Sequence, residues 1–377
     1  MIYNPFIVSG KIERKYFCDR KIESRELTDR LLNGQNIVLI SRRRMGKTGL
    51  IDFCYEGERI KNDFYTFFID ILQTNTFGEF IFLFWKAIYA QLVPRSKKLA
   101  ANFVLALKSL AAKLTYDPIT GIPSLNLQIG DITNPEVTLE EIFDYLSKAD
   151  KHCIVAIDEF QQISNYPEKN IEAILRTHIQ KSSNCNFIFS GSQRHILQEM
   201  FMSHAHPFFN SATFMHLGPI PESDYVEYIQ RLFSERSKSI SIDISRHIYQ
   251  KFEGHTYYVQ RTCNECFLNT PAGEECDANT LEISLDKILN MNGDVYREVL
   301  SQLPVKQKEL LYAIALEVNA KAITSSDFIK KYSLSSASSV QSAAKMLLHR
   351  ELVTREENTY SISDRFFQLW IKRMFNS

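Results

Sequence analysis

A short apolar run followed by glycine, lysine and threonine carries the clearest chemical signal in the sequence. Residues 36–40 (NIVLI) are typical of a buried strand and lead into residues 41–48 (SRRRMGKT), after which the pattern becomes helical. Backbone N–H groups at the start of such a helix bind phosphate oxygens. Lys47 would reach the β- and γ-phosphates, and the Thr48 hydroxyl would bind Mg²⁺. The segment therefore predicts a P-loop that binds ATP with Mg²⁺.

The P-loop departs from the usual pattern at Ser41, where glycine is common. That glycine eases the turn but makes no side-chain contact, so the substitution affects the motif more than the chemistry. The residues that we expect to contact the nucleotide are Arg44, Met45, Gly46, Lys47, Thr48 and Gly49.

Two adjacent acids follow a second apolar run, residues 153–157 (CIVAI). Ligands of parallel α/β sheets lie at the carboxyl ends of the strands. Asp158 is expected to support Mg²⁺ through its water shell, and Glu159 to orient and activate the attacking water. Adjacent strand residues point to opposite faces, which suits two different roles. We therefore predict Lys47 and Glu159 as catalytic residues, and Thr48 and Asp158 as metal-binding residues.

A third strand exit, residues 189–194 (FSGSQR), carries polar side chains. Ser190 and Gln193 are candidates for sensing the γ-phosphate, although the segment also reads as an ordinary strand-to-turn exit. Arg176 and Arg194 fit either arginine fingers acting on a neighbouring subunit or surface arginines, and the pattern favours surface arginines.

Apolar strands alternating with helical stretches indicate a parallel sheet covered on both faces. The predicted strands are residues 36–40, 64–70, 153–157 and 186–189. Turn residues at 116–123 and the alternation that follows indicate an inserted hairpin at about 114–131. The sequence therefore predicts an α/β fold of the P-loop NTPase class.

The pattern changes after about residue 217, where strands give way to amphipathic helices. From about residue 304 the order is three helices, two short strands and a last helix, which is typical of a winged helix-turn-helix. We predict a P-loop ATPase core, a helical lid domain and a winged helix domain at residues 1–217, 218–300 and 301–377.

Six segments, in order along nearly the whole chain, resemble the archaeal-type P-loop ATPases of the AAA+/STAND group, including ATP-binding proteins of Bacteroides-like bacteria. The segments are residues 16–20 with Glu23 and Leu27, then residues 42–50, 157–162, 189–193, 254–260 and 362–370. The resemblance implies an ATP-hydrolysing switch rather than a fast motor. It also implies that Phe17 and Arg20 lie against the adenine, and that residues 254–260 form the lid helix facing the nucleotide. Thr256 stands where the family usually has proline.

The cysteines and the charge balance exclude several other classes. Cys263 and Cys266 have CxxC spacing, but a structural zinc site needs four ligands, and a shared buried helix face is the better interpretation. The chain has 44 basic and 44 acidic residues and seven scattered cysteines, typical of a reduced, cytoplasmic protein. Charged residues interrupt the apolar stretch 77–93, so we expect no membrane span.

The charges of the expected winged helix indicate whether DNA or a protein is its partner. Residues 301–377 contain eleven Lys or Arg against seven Asp or Glu, but the expected recognition helix, 337–350, has few of the arginines that read guanine. The expected wing, 355–358, carries two acids. A protein partner or homo-oligomer is therefore favoured over DNA, which stays an alternative. Two functional alternatives also stay open: a slow-turnover, nucleotide-gated binding module, and a DNA-tethered regulator.

Overall fold

The computed structural model describes residues 4–376 except 11, 19, 119 and 318. Asp19, within the segment expected at the adenine, therefore lies outside the described residues. The described chain forms two compact units. One contains residues 12–220, and the other contains residues 4–10 together with 221–376. The division into three domains with boundaries at 217 and 300 stays a prediction.

The strands of the first unit form a five-stranded sheet and a separate hairpin. They are β1 (Ile37–Ile40), β2 (Phe64–Asp70), β3 (Leu114–Tyr116), β4 (Pro123–Leu125), β5 (His152–Asp158), β6 (Cys185–Gly191) and β7 (Thr213–His216). The sheet has the order β2-β5-β6-β1-β7, and its described pairs are parallel. β3 and β4 pair antiparallel, as expected of the inserted hairpin.

Eight helices accompany this sheet among the described residues. They are α1 (Lys21–Leu32), α2 (Lys47–Tyr55), α3 (Glu58–Lys61), α4 (Phe77–Leu92), α5 (Lys97–Ala106), α6 (Pro135–Ser147), α7 (Ile171–Lys181) and α8 (Arg194–Met202). Short 3-10 turns lie at Arg14–Tyr16, Lys108–Lys113 and Phe160–Asn165.

The central strands are apolar throughout because both faces of the sheet are buried. In β1, Ile37 and Leu39 pack into one core with residues of α1 and α2. Val38 and Ile40, on the opposite face, pack into a second core with residues of α4, α6, α7 and α8. The predicted parallel sheet with two covered faces is confirmed.

β7 is a difference from the sequence interpretation, which placed the last strand of the sheet at residues 186–189. It has four residues, lies at the sheet edge and pairs with β1. Met215 alone among the four is buried. An edge strand this short shows neither a continuous apolar run nor a clear alternation, so its sequence gives little signal.

The second unit begins with helices and two short strands. They are α9 (Glu222–Ser234), β8 (Ser239–Ile240), α10 (Ile242–Lys251), α11 (Thr256–Asn269), β9 (Glu275–Cys276) and α12 (Ala278–Ser301). Residues 4–10 belong to this unit: the Asn4 side-chain amide donates to the Asn264 carbonyl at 2.9 Å, and the Phe6 ring packs against Phe267.

The predicted winged helix follows α12. Its elements are α13 (Val305–Leu316), β10 (Ala320–Lys321), α14 (Ser326–Lys331), α15 (Ala337–His349), β11 (Val353–Glu356), β12 (Thr359–Ile362) and α16 (Arg365–Asn376). The three strands form one sheet in the order β10-β12-β11. Across the described part of the chain, no helix combines the length and apolarity needed to cross a membrane.

Within this unit, the winged helix packs on α11 and on the turn before it, which belong to the helices that we predicted as the lid. The Tyr258 hydroxyl of α11 donates to the Ser363 carbonyl at 3.1 Å. The Phe366 ring meets the rings of Phe252 and Tyr258 edge-on, at centroid distances of 5.3 and 5.1 Å. Arg365 pairs with Glu253 at 3.1 Å. Lid and winged helix are therefore joined by an aromatic and polar contact around Tyr258.

Candidate nucleotide site

The turn between β1 and α2 has the backbone that a phosphate-binding loop needs. Arg44 has φ 66° and Gly46 has φ 90°, and α2 begins at Lys47. Glycine adopts this conformation without the steric cost of a side chain. The Ser41 hydroxyl donates to the Arg42 carbonyl at 2.8 Å, so serine is accommodated where glycine is usual. Left-handed residues in such a turn allow successive N–H groups to point toward one bound anion.

The lysine of this turn is a largely buried residue. The Lys47 side chain is only 6% exposed. Among the residues that the structure describes, no hydrogen bond or ion pair engages its ammonium, and the first turn of α2 contains no acid. A cation with no protein partner at a helix N-terminus is well placed to bind an anion, because the helix dipole and the free N–H groups also favour negative charge there. The local chemistry therefore fits a phosphate group.

Asp158 joins the P-loop helix to the sheet. Its Oδ2 accepts a hydrogen bond from the Thr48 hydroxyl at 3.0 Å. Its Oδ1 accepts from the Ser190 hydroxyl at 2.5 Å and from the Glu159 N–H at 3.1 Å. Asp158 is buried, so these donors hold the carboxylate in one orientation. The structure thus brings together Thr48 and Asp158, which we predicted to share a Mg²⁺ ion.

Glu159 lies beyond the end of β5 rather than on it. Its φ is 55°, in the left-handed region, so the expected alternation of two strand residues does not describe this pair. Its Oε2 accepts hydrogen bonds from Gln161 Nε2 at 2.6 Å, from the Ser192 hydroxyl at 2.8 Å and from the Ser192 N–H at 3.1 Å. The turn separates Glu159 from Asp158 while keeping both at the same sheet edge.

Asp70 is a third acid at this edge that the sequence interpretation did not single out. It ends β2 directly opposite Asp158 in the pairing of β2 with β5. Although Asp70 is exposed, partial loss of hydration at this sheet edge, together with the charges of Asp158 and Glu159, raises the pKa of its carboxyl. The hydrogen bond that the Leu72 N–H donates to this carboxyl acts in the opposite direction. The signal was present in the sequence, since Asp70 also ends an apolar strand.

The Arg20 guanidinium donates hydrogen bonds to the backbone of the P-loop and of a neighbouring segment. It is 4% exposed and donates to the Met45 carbonyl at 3.0 Å. It also donates to the Gly218 carbonyl and to Glu23, each at 2.8 Å. The side chain thus ties the loop to the segment after β7. Its expected contact with the adenine stays a prediction.

Phe17 lies against the helix that follows the P-loop. Its ring stacks on Phe53 at a centroid distance of 4.4 Å. A Cβ at Gly49 would lie 3.4 Å from the Phe17 ring, within ordinary van der Waals contact. The contact of Phe17 with adenine also stays a prediction.

Ser190 is buried within the sheet rather than exposed at its edge. Inside β6, its hydroxyl donates to Asp158, whereas Ser192 is the first serine beyond the strand.

Cys263, Cys266 and Cys276 are fully buried in the second unit. Within the described ranges, no group of three or more His, Cys, Asp or Glu side chains is arranged to hold a metal ion.

Comparisons with known proteins agree with this fold. Residues 294–373 match the family model of a probable winged helix domain. A Walker-type ATPase of Pyrococcus abyssi is 18% identical with a TM-score of 0.66, and the match covers 98% of this chain and 99% of that one. The ORC2 protein of Aeropyrum pernix, in ADPNP–ADP complexes, is 13% identical with a TM-score of 0.56, covering 99% and 98%.

The ADP form of the same ORC2 protein has a TM-score of 0.52 at 12% identity and covers 99% of this chain and 98% of that one. A search of curated proteins finds no match to the sequence. The chain therefore has the fold of archaeal Walker-type ATPases over nearly its full length, with a winged helix at its end.

Proposed function

We propose that the protein binds and hydrolyses ATP in the presence of Mg²⁺ and works as a switch of the AAA+/STAND kind. The observation that carries the proposal is the hydrogen bond between Thr48 and Asp158, with Lys47 adjacent to Thr48 at the start of the same helix. A threonine hydroxyl, a carboxylate and a lysine at a helix start are the groups that hold the phosphates and metal of a nucleoside triphosphate.

The side chains divide the hydrolytic step between them. Lys47 and the N–H groups from Arg44 to Gly49 bind phosphate oxygens. Glu159 accepts a proton from the attacking water, and the oxygen of that water bonds to the γ-phosphorus. The bond between that phosphorus and the β–γ bridging oxygen breaks, and its electron pair leaves with ADP. Positioning and electrostatics supply most of the catalysis of phosphoryl transfer.

Thr48 and Asp158 fit a Mg²⁺ ion because both present oxygen atoms, the ligands that Mg²⁺ prefers. When bound, the ion neutralises charge on the β- and γ-phosphates. Ser190 and the Glu159 N–H bind Asp158 Oδ1, while Oδ2 accepts the hydrogen bond from Thr48 on the P-loop helix. Ser190 thus serves the metal site through Asp158.

The second unit is proposed to read the nucleotide state. The resemblance assigns residues 254–260 to the nucleotide, and Tyr258 in that segment contacts Ser363 and Phe366 of the winged helix. We therefore expect the winged helix to move when the lid helix moves, because packed elements shift together between discrete arrangements. We propose a protein partner or a second copy of the chain as the binding partner of the winged helix.

A turnover assay at saturating Mg²⁺-ATP tests the function. The wild-type protein should release phosphate, and Glu159→Gln should lower the rate by about 100-fold or more while ATP binding is kept. Glu168→Gln is a matched control, because Glu168 accepts the Phe77 N–H elsewhere in the same unit. Wild-type binding without any turnover would favour the nucleotide-gated binding module instead.

A further inference from the structure

Three donors converge on one oxygen of Glu159. Gln161 Nε2, the Ser192 hydroxyl and the Ser192 N–H all contact Oε2, at distances of 2.6, 2.8 and 3.1 Å. Among the described residues, no donor contacts the other oxygen, Oε1. One oxygen of the carboxylate is therefore fixed, and the other is left as an acceptor.

The surroundings of Gln161 are built to hold its amide in place. The residue is 3% exposed in the 3-10 turn after β5. A Cβ on Gly191 would lie 2.1 Å from Gln161 Oε1 and 2.8 Å from Leu197 Cδ1. A residue with a side chain at 191 would therefore displace the glutamine. Gln161 Oε1 is itself buried with no hydrogen-bond partner, so burying this amide is costly.

We propose that Gln161 and Ser192 are positioning residues for ATP hydrolysis, which hold Glu159 so that Oε1 receives the proton of the attacking water. The inference rests on the proposed function and extends it to residues outside the P-loop and the acid pair. A base held by a second group keeps its orientation at the moment of proton transfer. Gly191 is part of the same arrangement because its missing side chain makes room for the Gln161 amide.

The test measures turnover and Mg²⁺-ATP affinity separately. Gln161→Met and Ser192→Ala should each lower kcat by about tenfold, the effect of losing a hydrogen bond to a charged group, with the calorimetric Kd for Mg²⁺-ATP unchanged. Ser192→Thr, which keeps a hydroxyl, should retain turnover. Gly191→Ala should reproduce the loss seen in Gln161→Met. Gln162→Met is the matched control, because Gln162 donates to the Thr74 carbonyl at 2.9 Å instead.

A double-mutant cycle separates positioning from a direct role. In a Glu159→Gln background, Ser192→Ala should cause no further loss in single-turnover rate, because its effect passes through Glu159. Full additivity would overturn the inference and assign Ser192 an action of its own, as would normal turnover in Gln161→Met and Ser192→Ala. A wild-type protein that binds ATP but never hydrolyses it would refute the proposed function and this inference together.

Discussion

The Thr48 hydroxyl donates a hydrogen bond to Asp158 Oδ2 at 3.0 Å, which joins the first turn of the P-loop helix to the end of β5. β6 lies between β5 and β1 in the sheet, so the contact spans the exit of a third strand. Ser190 of that intervening strand holds the other oxygen of Asp158. Three strands thus converge on the place where the proposed metal would lie.

Thr48→Ala should reduce the effect of Mg²⁺ on ATP binding. The variant loses the hydroxyl that we propose as a metal ligand, while Lys47 and the backbone still contact phosphate. Calorimetry with and without Mg²⁺ should show that the gain in ATP affinity from Mg²⁺ falls by about tenfold or more. Thr177→Ala is the control, since the exposed Thr177 hydroxyl donates to the Ala173 carbonyl of its own helix. An unchanged Mg²⁺ effect would remove Thr48 from the metal site.

Asp70→Asn should stabilise the nucleotide-free protein at neutral and mildly alkaline pH. The raised pKa of Asp70 means that ionising this carboxyl costs more in the folded than in the unfolded chain. The cost is present above the folded pKa and disappears as the pH falls below the ordinary aspartate value, about 3.9. Asparagine keeps an oxygen for the Leu72 N–H and removes the charge.

Urea unfolding at pH 8 and pH 4 measures this effect. The free energy of unfolding of Asp70→Asn should exceed that of the wild type at pH 8, and the difference should shrink at pH 4. Asp63→Asn, an exposed position just before β2, is the comparison variant. A lower stability of Asp70→Asn at pH 8 would contradict a cost of ionising Asp70 in the folded protein.

The parts of the fold that follow from sequence are those with a strong local signal. The strand at Phe64–Asp70 has the predicted bounds, because its apolar run is long and bounded by polar residues. β6 extends to Gly191 instead of ending near Phe189, and this places Ser190 inside the strand and Ser192 beyond it. Glycine and serine carry no apolar signal, so the pattern could not locate the strand end.

The contacts around Glu159 could not be predicted from the sequence for a different reason. They depend on a left-handed residue at position 159 and on the side chain of Gln161 filling the space above Gly191. Neither the backbone angle nor the packing has a sequence signature, since glutamate is rarely left-handed. The P-loop could be predicted because its chemistry lies within one short segment.

The protein purified without added zinc should contain well under one zinc per chain. A structural zinc site needs four ligands, whereas the described residues contain no group of three or more His, Cys, Asp or Glu side chains arranged to hold a metal ion. Metal analysis of the wild type checks this expectation, with Cys263→Ser as the comparison. Stoichiometric zinc that is lost with stability in Cys263→Ser would contradict the assignment of these cysteines to the core.

Trp370 should report a link between nucleotide and winged helix. It lies 5.7 Å from Tyr296 between ring centroids, and Trp85 is the second tryptophan of the chain. In a Trp85→Phe background, Mg²⁺-ATP should change the emission of Trp370. Adding Tyr258→Phe removes the hydrogen bond to Ser363 and should reduce that change when it is measured at saturating Mg²⁺-ATP.

Tyr332→Phe is the matched control for this experiment, because its hydroxyl donates to Glu317 at 2.7 Å within the winged helix. The control should respond to ATP like the Trp85→Phe parent. If the emission of Trp370 does not change with Mg²⁺-ATP in any of these variants, that result would contradict coupling of the winged helix to the nucleotide.

Calorimetric titration of Mg²⁺-ATP into the wild type and Lys47→Ala tests the central claim most directly. Lys61→Ala, which removes an exposed lysine paired with Glu56, controls for the loss of one positive charge. Thermal unfolding establishes that each variant is folded. The account predicts binding by the wild type and by Lys61→Ala, and no measurable binding by folded Lys47→Ala. Wild-type affinity in Lys47→Ala would contradict it, because the nucleotide site would then lie elsewhere.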